Sequence, residues 1–195
     1  FKAAYPKVHL VLHQGSPREI AELLTAGEAD IAIATEWLNN VPEIATFPYY
    51  TWHHAVIVPR DHPLTQLSAP TLADIADYPI ITYHEGFTGR TNIDRRFAEA
   101  GLVPDIVLSA IDADVIKTYV GLGLGVGLIA SMAYEADKDV NLTAIDASHL
   151  FEPSLTRIGI RKDAYLRGYV YEFIELFAPH LTRHVVQSAL MCEEE

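Results

Sequence analysis

Cysteine is almost absent from this chain, whose 195 residues include only Cys192. One thiol cannot form a disulfide within the chain, and scarce cysteine is typical of a reducing compartment. Long apolar runs are also missing, since no stretch approaches the roughly 20 residues that a membrane-spanning helix needs. The sequence therefore predicts a globular protein without a disulfide framework and without a membrane segment.

Basic residues are scarce as well. Lysine and arginine together number 14 against 26 aspartates and glutamates, which gives a formal net charge of −12. Binding to nucleic acid draws on lysine and arginine side chains that neutralise phosphates. The charge balance thus argues against DNA binding by this polypeptide itself, and any DNA contact would come from a part of the protein not present in this sequence.

Sequence signatures of catalysis are missing too: the chain has no nucleophile elbow, no phosphate-binding loop and no metal-ligand spacing. Two adjacent histidines, His53 and His54, point to opposite faces of a regular strand and so cannot chelate one ion. We therefore expect a protein that is not an enzyme and that uses no metal and no cofactor.

What the chain does contain is a helix followed by an apolar strand, and this pattern occurs twice. In the first copy, Ser16 is a helix N-cap, Glu19 completes a capping box, and Gly27 ends the helix. The apolar run 31–34 is typical of a parallel strand that is buried on both faces. Thr35 follows at the carboxyl end of this strand, where open α/β sheets bind their ligands.

The second copy is a helix that starts at Asp112 or Asp114 and leads into an apolar strand over 126–130. Between them lie four alternating glycines: Gly121, Gly123, Gly125 and Gly127. Alternating glycine suits a backbone that passes very close to another backbone or to a ligand. A dinucleotide fingerprint has different spacing and follows a strand, so a dinucleotide site is disfavoured.

Alternating strands and helices predict an α/β protein with parallel sheets. A further strand is expected over 7–13. We expect a first lobe made of residues 1–50 and 154–195 and a second lobe made of residues 51–153. A ligand is then expected in the cleft between the lobes.

Several motifs of the chain resemble one family of bacterial regulators. They are His13-Gln-Gly-Ser-Pro17, Gly27-Glu-Ala-Asp-Ile-Ala-Ile-Ala-Thr-Glu36, Asp61-His-Pro-Leu64, Tyr78-Pro-Ile-Ile-Thr-Tyr83, Gly86-Phe-Thr-Gly-Arg90 and Asp112-Ala-Asp-Val-Ile-Lys-Thr-Tyr119. Together they resemble the effector-binding domain of LysR-type transcriptional regulators. The last two motifs are narrower and resemble the sulfur-assimilation branch, the CysB and Cbl regulators.

The resemblance implies two Rossmann-like lobes of the periplasmic-binding-protein type II kind in a cytoplasmic homodimer or homotetramer. DNA would be bound by a separate N-terminal winged helix-turn-helix domain. The effector would be a small anionic metabolite: N-acetylserine or O-acetylserine, with sulfate or thiosulfate as further candidates. Two alternatives stay open: a Cbl-like sensor of adenosine phosphosulfate, and a periplasmic solute-binding protein with the same fold.

The resemblance also implies site residues. Thr35 and Thr88 match threonines that line the family's anion and inducer site, and Trp52 matches an aromatic residue near the cleft. The loop around Thr88 adds Gly86, Phe87, Gly89 and Arg90 to this set. The alternative is that both threonines only cap helices and that Arg90 forms an exposed salt bridge.

By the same resemblance, Phe1 lies in the tail of the family's first helix. The DNA-binding domain and the first strand are therefore expected upstream of this chain. That strand would lie inside the first lobe and carry part of the anion site. Without it, neighbouring strands should expose backbone groups that lack a partner.

Overall fold

The structure is a computed structural model that describes residues 1–191, so Cys192 and the three glutamates after it lie outside the described part. The chain forms two compact units. The first consists of Phe1–Tyr50 and the chain from Leu155 onward, and the second is Thr51–Ser154. Within the described residues, no helix combines the length and the apolar character that crossing a membrane requires.

The first unit is built around a three-stranded sheet in the order β1-β8-β2. Its elements are α1 (Pro17–Thr25), β1 (Ala32–Thr35), a 3-10 helix (Glu36–Asn40), β2 (Ile44–Trp52), β8 (Ser154–Arg161), α5 (Gly168–Phe177) and α6 (Arg183–Met191). The strands β2 and β8 contain the two points at which the chain passes between units.

Helix α1 begins and ends where the sequence predicts. The Ser16 hydroxyl accepts a hydrogen bond from the Glu19 backbone N–H, and the Glu19 carboxylate accepts one from the Ser16 N–H at 2.7 Å. This reciprocal capping satisfies two of the backbone donors that a helix leaves without partners at its start. Gly27 has a φ of 74°, a left-handed conformation that favours glycine, and it ends the helix.

The strand after α1 differs from the prediction. It spans Ala32–Thr35, pairs with β8 in the antiparallel direction, and lies at the edge of its sheet. Ile33 is 42% exposed, so the strand is not buried on both faces. The prediction of a buried parallel strand was wrong because a short apolar run does not reveal which strand will lie beside it.

The strand predicted over 7–13 is also absent from the described fold. Residues 9–16 have no regular secondary structure, and Leu10, Val11 and Leu12 are exposed. An alternating pattern makes a strand only where another strand supplies hydrogen-bond partners.

An apolar groove of about 360 Å³ runs between this segment and β1 in the first unit. Its lining includes Val8 to His13, Ile31 to Ile33, and Tyr169, Val170 and Phe173 of α5. The groove thus lies between a sheet edge and an extended apolar segment, which together offer backbone groups for pairing.

The second unit contains a five-stranded sheet in the order β5-β4-β6-β3-β7. Its elements are β3 (His54–Pro59), a 3-10 helix (Pro63–Gln66), α2 (Leu72–Ala76), β4 (Ile80–Tyr83), α3 (Thr88–Glu99), β5 (Ile106–Ala110), α4 (Ala113–Gly121), β6 (Val126–Ala130), a 3-10 helix (Ser131–Ala133) and β7 (Leu142–Asp146). Strand β4 is parallel to β5 and β6, whereas β3 is antiparallel to β6 and β7. The sheet is therefore mixed rather than purely parallel.

Strand β3 separates two apolar clusters of the second unit. Val56 and Val58 belong to one cluster, together with Phe97 and Phe151. Ala55 and Ile57 belong to the other cluster, which includes residues of α4. Side chains alternate along a strand, so a strand with two covered faces reads as a continuous apolar run.

The glycine-rich stretch after α4 combines three different roles. Gly123 has a φ of 81° and reverses the chain after the helix. A Cβ on Gly125 would lie 2.3 Å from the Pro79 carbonyl oxygen, and one on Gly127 would lie 2.9 Å from a Val120 methyl group. The predicted close approach to another backbone is therefore present at Gly125, whereas Gly121 has no such constraint.

Replacing Gly125 with alanine is expected to destabilise the domain by about 2–3 kcal/mol, because the new methyl group must displace the Pro79 backbone. Gly121→Ala is the matched control. It adds a methyl group in the last turn of α4, 4.0 Å from the Leu142 side chain. That change should leave stability unchanged or raise it by up to ~1 kcal/mol. Urea unfolding followed by circular dichroism compares the two, and equal midpoints would contradict the argument.

Candidate functional site

The candidate site is the loop 84–90 and the first turn of α3, all within the second unit. Gly86 has a φ of 93°, which a side chain would strain, and it turns the chain toward the helix. Phe87 occupies the N-cap position in an extended conformation and provides no side-chain cap. The first N–H groups of a helix have no partner within it and carry the positive end of its dipole, which suits an anion.

The first turn of α3 lies on a floor of three aromatic rings. A Cβ on Gly89 would lie 3.2 Å from the Tyr83 ring, 3.4 Å from His54 Nε2 and 3.5 Å from the Trp52 ring. A methyl group at position 89 would crowd the Tyr83 ring, so a larger side chain there requires the turn or the rings to shift. The structure thus brings Trp52 and Gly89, two of the residues proposed from sequence, into direct contact.

Tyr83 links the floor to the sheet and to the loop. Its hydroxyl oxygen accepts a hydrogen bond from the Ala130 N–H at 3.0 Å, at the end of β6. Its ring stacks on Phe87 with a centroid distance of 6.4 Å. The loop is therefore positioned by a strand end rather than by its own flexible backbone.

Arg90 holds the loop against α3. Its guanidinium group donates to the Asp94 carboxylate at 2.7 Å and to the Tyr83 carbonyl at 3.3 Å, and Glu85 lies 3.7 Å away. Its side chain is only 12% exposed. The salt bridge of the alternative interpretation is therefore present, with a mostly buried arginine and an Asp94 side chain that is 45% exposed. A contact between Arg90 and a ligand stays a prediction.

The two candidate threonines stand at helix starts, and of the two Thr35 occupies an N-cap position. Thr88 is the first residue inside α3, one position after the N-cap. Thr35 ends β1 in the first unit and precedes the 3-10 helix Glu36–Asn40, but its side chain makes no capping hydrogen bond. Their predicted contact with a ligand remains a prediction.

His54 begins β3 and is fully buried. Its ring lies 5.1 Å from the Trp52 ring and 5.0 Å from the Phe151 ring. Burial lowers the pKa of His54 to about 4, against a weaker opposite effect of the Gly89 backbone, so the imidazole is neutral near pH 7. Neither ring nitrogen has a partner with full hydrogen-bond geometry among the described residues, and the interaction with the Gly89 backbone comes nearest to one.

Lys117 has a structural role in the second unit. Its ammonium group donates to the Ala133 carbonyl at 2.8 Å and pairs with Asp139 at 3.0 Å and Asp114 at 3.1 Å. Although burial opposes it, hydrogen bonding to these carboxylates raises the pKa of Lys117. Asp112 is the N-cap of α4, as predicted, and accepts from the Val115 N–H.

The histidines do not form a metal site in the described part of the chain. His53 is exposed and lies between β2 and β3, whereas His54 is buried at the start of β3. Across residues 1–191, no group of three or more histidine, cysteine, aspartate or glutamate side chains has a geometry that would hold a metal ion.

Sequence reasoning missed His54 and Tyr83 as parts of the floor. A signal for His54 was available in the two-residue period of β3, because His54, Val56 and Val58 share one face and the two valines are plainly core residues. For Tyr83 the sequence offers no comparable signal, since its contacts depend on which strand lies beside β4.

Comparisons with known proteins agree with the family resemblance. The model of the LysR substrate binding domain family matches residues 1–182. The HTH-type transcriptional regulator SsuR of Burkholderia cenocepacia is 56% identical over 190 residues, which cover 97% of this chain and 62% of that protein. The HTH-type transcriptional regulator CysB of the same organism is 50% identical over 195 residues, covering 100% of this chain and 62% of that protein. The chain thus spans less than two thirds of either relative.

A solved structure is also similar. It is the crystal structure of the cofactor-binding domain of the Cbl transcriptional regulator, with a TM-score of 0.88 and 48% sequence identity. The match covers 97% of this chain and 83% of that chain.

The buried His54 should make the free energy of unfolding depend on pH. Its pKa of about 4 in the folded state lies below the usual value near 6.5, so the unfolded chain binds more protons between these pH values. The free energy of unfolding should therefore fall as the pH drops from about 6.5 to about 4, with a contribution on the order of 3 kcal/mol from this residue.

Urea unfolding of the His54→Phe variant should show a smaller decrease in the free energy of unfolding as the pH drops from about 6.5 to about 4. His53→Phe, which changes the exposed neighbour, is the control and should keep the original pH profile. If the free energy of unfolding of His54→Phe falls with pH as steeply as that of the unchanged protein, the buried histidine is not the cause of the pH dependence.

Proposed function

The chain belongs to the LysR substrate-binding domain family, and we propose that it senses a small anionic metabolite of sulfur assimilation or cysteine biosynthesis. It is the effector-binding domain of a LysR-type regulator related to CysB, Cbl and SsuR, with the mixed α/β, two-sheet fold of type II periplasmic-binding-like effector domains. The observation that carries the proposal is the first turn of α3, which presents backbone donors beside a threonine.

The proposed chemistry is hydrogen bonding to an oxyanion or a carboxylate. Gly86 and Phe87 bring the chain into α3, and Thr88 places a hydroxyl group at the helix start. Such a start binds anions through backbone N–H groups and the helix dipole. Trp52, Gly89 and Arg90 would shape and support this turn. We propose Thr35, in the first unit, as a further hydroxyl donor to the ligand.

The proposed effectors are N-acetylserine or O-acetylserine, with sulfate and thiosulfate as smaller candidates. All four present a carboxylate or an oxyanion to the helix start. The alternative is adenosine phosphosulfate, and it is kept because the Cbl domain is 48% identical to this chain. A periplasmic solute-binding role is disfavoured, because the curated relatives reported above are named transcriptional regulators.

We further propose the setting in which the domain works. A separate N-terminal DNA-binding domain would make the contact with DNA, in a cytoplasmic homodimer or homotetramer. The negative net charge of this chain is consistent with DNA binding by a separate domain, because the chain has few lysine and arginine side chains that could neutralise phosphates. We propose no catalytic role for it.

The groove beside β1 is proposed to receive one more β-strand from the longer natural protein. Its lining includes Ala32 and Ile33 of the edge strand β1, the irregular segment 9–13 and apolar residues of α5. A strand inserted there would pair with the edge of β1 and cover Ile33, which is now 42% exposed. The match that covers only 83% of the Cbl domain is consistent with additional chain in the relative.

Calorimetric titration of the natural-length protein with the five candidate effectors tests the proposed function. Thr88→Ala is expected to weaken binding of the true effector by about tenfold or more, as for a lost hydrogen bond to a charged group. Thr35→Ala should also weaken binding, whereas Thr88→Ser should retain it. A preference for adenosine phosphosulfate would replace the acetylserine assignment.

The control for these variants is Thr91→Ala, one turn further along α3, where the exposed hydroxyl donates to the Phe87 carbonyl at 3.4 Å. It should bind like the unchanged protein. If none of the five compounds binds, or if binding ignores both Thr35 and Thr88, the proposed site is incorrect.

The strand proposal predicts a difference between this chain and the natural-length protein. This chain should bind the dye 1-anilinonaphthalene-8-sulfonate at the apolar groove, and the longer protein should bind much less of it. Hydrogen exchange should be slower in the longer protein at the β1 amides that point away from β8, because β1 then has partners on both sides. Equal dye binding and equal exchange would count against an inserted strand.

A further inference from the structure

Thr156 interrupts an apolar face of β8, the middle strand of the first unit. Side chains alternate along a strand, so Thr156 shares one face with Ile158 and Ile160. Both isoleucines are fully buried in an apolar cluster that includes residues of α5 and α6. Thr156 is itself only 5% exposed. The sequence thus has a hydroxyl group at a position where packing alone favours a methyl group.

The Thr156 hydroxyl forms no hydrogen bond to any residue in the described part of the chain. Most buried polar side-chain atoms in proteins are hydrogen-bonded. The oxygen is not sealed inside the protein, because the only enclosed side-chain atoms without a partner among residues 1–191 are the two ring nitrogens of His54. A buried hydroxyl that reaches an opening is able to donate to a bound molecule.

Thr35 is the direct neighbour of Thr156 on the adjacent strand. The two residues are partners in the antiparallel ladder of β1 and β8, so their side chains lie on the same face of the sheet. Cβ atoms of such partners are roughly 4.5–5.5 Å apart. An O–H···O hydrogen bond spans about 2.7 Å, so two hydroxyl groups at this spacing can donate to one oxyanion.

Glu36 fixes the backbone immediately before Thr156. Its carboxylate accepts a hydrogen bond from the Leu155 N–H at 3.0 Å, and Glu36 directly follows Thr35 in the chain. Residues 35 and 36 therefore hold residues 156 and 155. Because the sheet holds Thr156 in place, little conformational freedom is left to lose when its hydroxyl binds a ligand.

We propose that Thr156 contacts the effector and donates a hydrogen bond to the same oxyanion group as Thr35, an inference that rests on the function proposed above. That group is the carboxylate of an acetylserine or the oxyanion of a sulfur compound. The hydroxyl provides a donor without adding a buried charge. Valine has nearly the same shape and is suited to a strand, but it has no donor.

The experiment is calorimetric titration of the natural-length protein with N-acetylserine, O-acetylserine, sulfate, thiosulfate and adenosine phosphosulfate, combined with thermal unfolding without ligand. Thr156→Val should weaken binding of the effector by about tenfold, as for a lost hydrogen bond to a charged group. Its melting temperature should be unchanged or higher, because an unsatisfied hydroxyl is removed.

Serine separates the hydroxyl from the methyl group of the side chain. Thr156→Ser should lower the melting temperature by a few degrees and yet bind the effector within about threefold of the unchanged protein. The matched control is Thr143→Val, which changes a half-buried threonine of β7 in the second unit and should leave affinity unchanged. If affinity follows the melting temperature across these variants, Thr156 has only a packing role.

A double variant tests whether the two hydroxyl groups serve one oxyanion. The loss of affinity in Thr35→Val combined with Thr156→Val should differ severalfold from the product of the two single losses, since groups that share a partner are not additive. Equal affinity in Thr156→Val and the unchanged protein, with weaker binding in Thr35→Val, would overturn this inference alone. Independent losses would overturn the shared oxyanion, and absence of binding of all five compounds would overturn the inference together with the proposed function.

Discussion

The absence of a side chain at position 89 is the constraint on which the candidate site depends. It allows the first turn of α3 to lie within contact distance of the Tyr83, His54 and Trp52 rings. Those rings are fixed by three different strands, β4, β3 and β2, so the turn is positioned by the sheet region beneath it. A site supported by strands keeps its geometry better than one that depends on a loop alone.

This arrangement would allow an acidic domain to bind the proposed anion. With a formal net charge of −12, the electrostatic field of the domain repels negative ligands. At physiological ionic strength, salt largely screens this field at distances beyond roughly 8 Å. Recognition must then come from donors that touch the ligand. The backbone N–H groups of a helix start meet this need without a free cation, and Arg90 is already engaged with Asp94 and Tyr83.

Sequence reasoning succeeded where the cause of a structure is local. The capping box of α1, the left-handed Gly27 and the Asp112 cap of α4 depend on residues within one helical turn of each other, and all three are present. It failed where the cause is distant: the direction of β1 is set by β8, more than 100 residues later.

In the candidate site, too, features with local causes were predicted and features with distant causes were missed. The residues of the loop 86–90 were proposed from a motif, whereas the contacts of His54 and Tyr83 depend on packing between strands. The two-residue period of β3 would have placed His54 among core residues, but no local pattern indicates that its ring meets Gly89.

The discontinuity of the first unit has a consequence for how the protein is made. The middle strand of its sheet is β8, which leaves the ribosome long after β1 and β2 on either side of it. The second unit is a continuous segment and has all its strands by residue 146. Since contacts between distant residues form late and domains fold as they emerge, the second unit should be complete while the first still lacks its centre. During synthesis, the α3 turn therefore exists before the sheet of the first unit can close.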